Sequence, residues 1–202
     1  MSRTEEQYEA MRAATRAKVE AAAVRLFTRR GYAATSVRDI AAEAGISTGL
    51  MYRHYATKEE LFGALVAQAA EGLGAVAAGF RGEGSPARLL GEFTRVFVAD
   101  LGQEAEAVEF YLLMNHAFAM DEPPAPVRVL AERHAELAAA LEALIERGQR
   151  LGEFRRGDAA ELAACYFVVL SGLVSMKTTL RERFQVPAMP VLLAFLLEGD
   201  GA

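Results

Sequence analysis

The chain has 202 residues, 52% of them hydrophobic, with no Trp, one Cys and a formal net charge of −5. That length is ample for a buried core and can hold one large or two small domains. The lone Cys165 excludes an intramolecular disulfide. The abundance of Ala, Leu, Glu and Arg, with few alternating β-branched runs, predicts an all-α fold.

The first helix is expected from about Glu9 to Arg30, where Val19, Ala22, Ala23, Leu26 and Phe27 fall at helical spacing and Gly31 stops it. Ser36-x-x-Asp39 is a capping-box-like start for a short helix whose Ile40, Ala41 and Ala44 share one face. Gly45 suits the left-handed residue that ends it, and Ser47 caps the next helix. Met51 and Tyr55, four apart, point that second helix into a core. Thr48, Gly49, Leu50, Tyr52, Arg53 and His54 are left facing outward. Two short helices joined by a tight turn, with small, aromatic and basic groups on the second, are a helix-turn-helix suited to the DNA major groove.

Thr57, with Glu60 three residues on, starts a long fourth helix carrying Leu61, Phe62, Leu65 and Val66. It turns Gly-rich at Gly72, Gly74 and Gly79. Arg81–Pro86 reads as a linker, with Ser85 as N-cap and Pro86 in the first helical position of the next helix. A sixth helix spans about Glu104 to Met120, and Asp121–Pro126 breaks it. Val127 to about Arg150 is amphipathic, Gly152–Gly157 is a loop, and Asp158 caps a helix running to about Arg183. Pro187 and Pro190 bracket a turn before a final short helix over 191–197, which makes about nine helices.

The last two helices are apolar nearly all round, so every side must be buried. Phe167, Leu170, Leu173, Val174, Leu192, Phe195 and Leu196 are therefore expected to pack against a second copy as a two-fold four-helix bundle. The longest uncharged run, Leu162–Met176, is fifteen residues, short for a membrane span of about 20. No apolar signal region begins the sequence, and a soluble, cytoplasmic protein is expected.

Charge is distributed unevenly. Residues 10–58 hold nine cations against three acids, net +6 in a chain of −5, so the remainder carries −11. A basic head on an acidic body is what local attraction to phosphate requires. Arg53 is the candidate for gripping guanine O6 and N7, and Leu50 for a thymine methyl, while Gly49 lets the backbone approach. Tyr52, His54, Ser36, Arg38 and Lys58 are candidates for phosphate contacts that fix register.

In the body, Phe93, Phe97, Phe110, Tyr111, Met114, Phe118, Tyr166 and Met176 could line a cavity for a small apolar or amphipathic ligand. No catalytic constellation is present. His54, His116 and His134 form no metal-binding pair, and no cofactor motif is found.

Gly31-Tyr32, Thr35 to Ala41, Ala44 to Ser47, Gly49, Met51 to Tyr55 and Lys58 to Leu61 together resemble the N-terminal domain of TetR-family transcriptional regulators. The likeness covers roughly residues 10–65. Tyr55 stands where that family usually has Phe, and Thr48 where many members have Lys. The resemblance implies a three-helix DNA-binding domain over 1–57 and a ligand-binding and dimerisation domain over 58–202. It further implies a homodimeric repressor that leaves a palindromic operator when ligand binds. The rival reading is a helical adaptor whose helix-turn-helix packs against protein and binds no DNA.

Overall fold

The computed structural model describes residues 2–103, 105–118 and 124–197. Among these it has nine α-helices and no strand, as the composition predicts. They are α1 (Ser2–Arg30), α2 (Val37–Glu43), α3 (Thr48–Tyr52), α4 (Lys58–Phe80), α5 (Pro86–Gln103), α6 (Ala105–Phe118), α7 (Ala125–Leu151), α8 (Ala159–Leu180) and α9 (Met189–Leu193). The expected break over 121–126 lies partly outside the described residues, as does the end of the sixth helix at Met120.

By packing, the chain divides into two compact units: Met1–Ala69 with Glu109–Arg128, and Ala70–Val108 with Val129–Ala202. The boundary falls inside α4, between Ala69 and Ala70, rather than at its first turn.

In the first unit, Val19, Ala22, Ala23, Leu26 and Phe27 of α1 are buried with Ile40, Met51, Leu61, Phe62 and Leu65. Phe27, Tyr32 and Phe62 form an aromatic triad with centroid separations of 5.3, 5.9 and 4.8 Å. Thr28 Oγ1 donates to the carbonyl of Glu109, and Arg29 pairs with the Glu109 carboxylate at 3.1 Å, tying α6 to α1. α1 starts seven residues earlier than its apolar spacing indicates, because nothing between Glu5 and Lys18 is buried and no apolar face marks that stretch.

In the second unit the core is Phe80, Leu90, Leu130, Leu137, Leu141, Leu144, Ile145, Phe154 and Tyr166. Tyr166 is fully buried and its hydroxyl has a partner, Thr94 Oγ1, at 2.6 Å. Ser85 caps α5 by accepting from Arg88 N, and Glu153 accepts from both Ser85 Oγ and Ala87 N. Gly152, at φ 71°, ends α7 in a Schellman turn: Glu153 N donates to Gly148 O at 2.8 Å. Asp158 caps α8 through Glu161 N, as read from sequence. α8 stops at Leu180, short of Arg183, because Arg181 leaves the helix at φ 52°. α9 begins before Pro190 rather than after it. Proline is tolerated in the first helical turn, where its missing N–H has no intrahelical partner.

The expected outer face of α8 and α9 needs correction. Leu170, Leu173, Val174, Leu192 and Leu196 are buried within this chain, while Phe167 and Phe195 are half-buried. A helix in a monomer turns its bulkiest aliphatic row inward, so those five belong to the chain's own core. The exposed row of α8 is Ala164, Cys165, Val168, Ser171, Gly172, Ser175 and Met176, with Val168 70% exposed. α4 and α8 are both long and apolar enough, by length and composition, to cross a membrane. The uncharged run of fifteen residues had indicated otherwise for α8.

Gly148 and Gly172 give a contrasting test of packing. A Cβ on Gly148 would lie 2.1 Å from Cδ2 of the buried Phe154, whereas one on Gly172 would meet nothing within 4 Å. Gly148→Ala should lower stability by about 1–3 kcal/mol, as overpacking does. Gly172→Ala should leave stability unchanged or raise it by up to about 1 kcal/mol through helix propensity. Urea denaturation of the two variants measures the difference.

Candidate nucleic-acid interface

α2 and α3 are too short to persist alone, and local devices hold them. Ser36 Oγ accepts from Asp39 N at 3.2 Å, and Asp39 Oδ2 accepts from Ser36 N at 2.9 Å, completing a capping box. The Ser36 hydroxyl also donates to that carboxylate, which with the backbone bond and nearby Arg30 holds Asp39 below the usual carboxylate range. Gly45 turns the chain at φ 69°, and Ile46 N donates back to Ala41 O at 3.0 Å. Ser47 caps α3 through Leu50 N. Met51 and Tyr55 are buried, as their spacing predicts. Glu60 behaves as a box partner with a shift of one residue: its N–H bonds Thr57 Oγ1, while its carboxylate accepts from Ala56 N rather than Thr57 N.

This scaffold turns Gly49, Tyr52 and Arg53 outward, with Thr48, Leu50 and His54 partly exposed beside them. Arg38 is exposed on α2. Two of the expected phosphate contacts, Ser36 and Lys58, also have internal partners. Ser36 is engaged in its capping box. Lys58 Nζ donates to the carbonyls of Tyr32 and Thr35, both at 2.9 Å, and lies 4.2 Å from the Tyr32 ring centre. It closes the loop between α1 and α2, whose free carbonyls the sequence does not advertise.

Sequence reasoning did not single out the cluster around Tyr55. Its hydroxyl donates to Glu20 Oε1, and Arg16 Nε donates to both Glu20 Oε1 and Tyr55 Oη at 2.9 Å. The hydroxyl that distinguishes Tyr55 from the usual Phe was the available signal. A cleft of about 280 Å³ beside it is lined by Glu9, Arg12, Ala13, Arg16, Arg53 and His54.

The eight body residues expected around one cavity are not gathered in either unit. Phe110, Tyr111, Met114 and Phe118 belong to the first, and Phe93, Phe97, Tyr166 and Met176 to the second. Tyr166 is core, while Met176 lies on the exposed row of α8. Within the second unit an open apolar groove of about 200 Å³ is lined by Val76, Gly79, Phe80, Leu89, Glu92 and Phe93. Small-molecule sites usually measure about 300–1,000 Å³, so this groove as it stands is undersized. No group of three or more potential metal ligands occurs among the described residues.

A capped, turn-linked helix pair with a buried anchor face and an exposed basic, aromatic face is a helix-turn-helix DNA-binding domain. Residues 21–65 match the family model for bacterial regulatory proteins of the tetR family. Over 45 residues the chain is 53% identical to a transcriptional repressor from Mycobacterium tuberculosis, a match spanning 22% of this chain and 24% of that protein. Over 167 residues it is 28% identical to the regulator TtgR of Pseudomonas putida, spanning 79% and 78% of the two chains. The fold is that of a transcriptional regulator from Saccharomonospora viridis solved in complex with choline: TM-score 0.68, 21% identity, 92% of this chain and 99% of that one. The likeness to the tetR family is thus carried by residues 21–65, the helix-turn-helix and the helix segments that flank it.

Burial and a hydrogen bond to Glu59 push Tyr32 up to about 12; burial and the bond to Glu20 do the same to Tyr55. Both values lie above the ordinary 10, so the stabilisation is intact below about pH 10 and is lost as pH rises through about 12. Thermal melts across that window should show a steep loss of stability. The double variant Tyr32→Phe/Tyr55→Phe should show a shallower one.

Proposed function

We propose that this protein is a cytoplasmic, homodimeric repressor that binds a palindromic operator and is released by a small apolar or amphipathic ligand. The observation that carries the reading is the exposed Tyr52-Arg53 face of α3, set in a segment, residues 10–58, of net +6. A guanidinium so presented can grip guanine O6 and N7 with two hydrogen bonds. Thr48, Gly49, Leu50 and His54 flank it, and Arg38 adds a phosphate contact. Lys58 acts chiefly by fixing the loop behind the helix-turn-helix.

A dimer is supported by the exposed row of α8 and by Val191 of α9, which is 67% exposed. An uncharged surface this long is covered in a soluble protein. A second copy covers it symmetrically and sets two reading heads about 34 Å apart, one turn of DNA. Ligand control is supported by the neighbour solved with choline, and it requires the undersized groove, or another site, to open on binding.

DNA fragments selected by the purified protein supply the operator. Arg53→Ala should then weaken binding by about 1–3 kcal/mol and relax preference at one base position per half-site. Selection that enriches no sequence would favour the adaptor reading. Sedimentation tests the dimer. The wild type should be dimeric at micromolar concentration and Val168→Glu monomeric, with operator affinity falling alongside. A wild-type monomer that partitions onto lipid vesicles would instead assign the α8 row to a membrane.

A further inference from the structure

We propose that the cleft between α1 and the end of α3 seats one phosphate of the operator backbone, and that Tyr55 and Glu20 position Arg16 to hold it. The proposal rests on the DNA-binding reading above and adds a contact that the reading element does not make.

The first observation is that part of α1 has no packing role. From Glu5 through Lys18 none of its residues is buried, and its first buried residue is Val19. At 1.5 Å per residue, residues 5–18 make roughly 20 Å of helix beyond the core. Glu9, Arg12, Ala13 and Arg16 recur at i, i+3, i+4 and i+7, so they form one row. That row faces Arg53 and His54 across the cleft of about 280 Å³. Three arginines and a histidine line it against a single acid, Glu9.

The second observation is that Arg16 is held rather than loose. Its Nε–H is shared between Glu20 Oε1 and Tyr55 Oη, each at 2.9 Å, and its guanidinium carbon lies 5.3 Å from the centre of the Tyr55 ring. The Tyr55 hydroxyl is itself bonded to Glu20, so three groups fix one another. Both Nη groups remain without a partner among the described residues, on a side chain that is 57% exposed. A surface Arg–Glu pair at i, i+4 needs no third member. Here the third member is a buried residue of the helix-turn-helix, which fixes the free Nη face in register with Arg53. A guanidinium presented in this way can grip two phosphate oxygens at once, with little side-chain freedom left to lose on binding. An anion in this cleft sits beside Arg53, where the backbone flanks the groove that Arg53 enters.

The test uses the full chain and a selected duplex, with affinity measured by fluorescence anisotropy over a series of KCl concentrations. Arg16→Ala should weaken binding to all sequences alike and make the slope of log K against log salt shallower by about 0.9 per bound protomer, or about 1.8 for the proposed dimer, the signature of one lost phosphate contact in each half-site. Tyr55→Phe should lose severalfold in affinity with base preference unchanged, and Tyr55→Phe/Arg16→Ala should be no weaker than Arg16→Ala alone. Arg16→Lys keeps the charge without the shared Nε–H and should recover the salt slope but not the full affinity. Circular dichroism and thermal melts select variants that fold. An unchanged slope in Arg16→Ala, or effects of Tyr55→Phe and Arg16→Ala that multiply, would overturn the proposal while leaving the DNA-binding reading intact. A wild type without salt-dependent binding to any duplex would overturn both.

Discussion

A helix of five residues forms too few hydrogen bonds to offset its own nucleation, so α3 exists only because its surroundings hold it. Met51 and Tyr55 are its anchors. Both are buried, and at i and i+4 they commit one face of the segment to the core. Once that face is committed, the direction of Gly49, Tyr52 and Arg53 follows without further instruction. Gly45 and the caps Ser36 and Ser47 fix where α3 begins, and Lys58 fixes the loop behind α2 by bridging the carbonyls of Tyr32 and Thr35. The reading face is thus a consequence of what is buried opposite it. A substitution at Met51 would disturb that exposed face as surely as one at Arg53, though Met51 itself is fully buried.

Tyr55 joins this anchoring role to a polar one. A Phe would fill the same space in the core. The hydroxyl reaches the edge of that core and meets Glu20 and Arg16, so a packing residue also carries a hydrogen-bonded link from the segment just after α3 to α1. Lys58 shows the reverse economy. A cation at the start of a helix beside a DNA-binding element looks like a phosphate clamp, yet two of its three donors are directed at backbone carbonyls.

These cases mark what the sequence could and could not reveal. Capping and turn chemistry is local, so Ser36, Gly45, Ser47, Ser85 and Asp158 were legible from neighbouring residues alone, and the structure bears them out. Periodicity identified Phe27, Met51 and Leu61 as inward-facing, because one buried stripe per helix suffices for that inference. It could not say which body an inward residue meets. The aromatic residues of α5 and α6 looked like one cluster because they are close in sequence, yet Phe93 and Phe110 belong to different packing units. The Arg16–Glu20–Tyr55 group was hidden for the same reason: its members are 35 and 39 residues apart in sequence where they cross between helices. The exposed half of α1 was missed because it has no apolar face to detect.

α8 shows how a helix apolar all round can still have two distinct faces. Bulky Leu170, Leu173 and Val174 point into the chain's own core, and the opposite row is mostly small: Ala164, Cys165, Ser171, Gly172 and Ser175, with Val168 and Met176 between them. Average hydropathy cannot separate these faces, because alanine and glycine raise it or leave it unchanged while offering little area to bury. Side-chain volume separates them. Large residues fill the space between elements of one chain. Small ones leave room for a second helix to approach at close interaxial distance, where many weak backbone and methyl contacts add up. A lipid surface gives no reason for glycine and serine at the centre of such a row, since fluid acyl chains conform to any shape. A rigid, self-complementary partner does, because the same small residues then face one another across a two-fold axis.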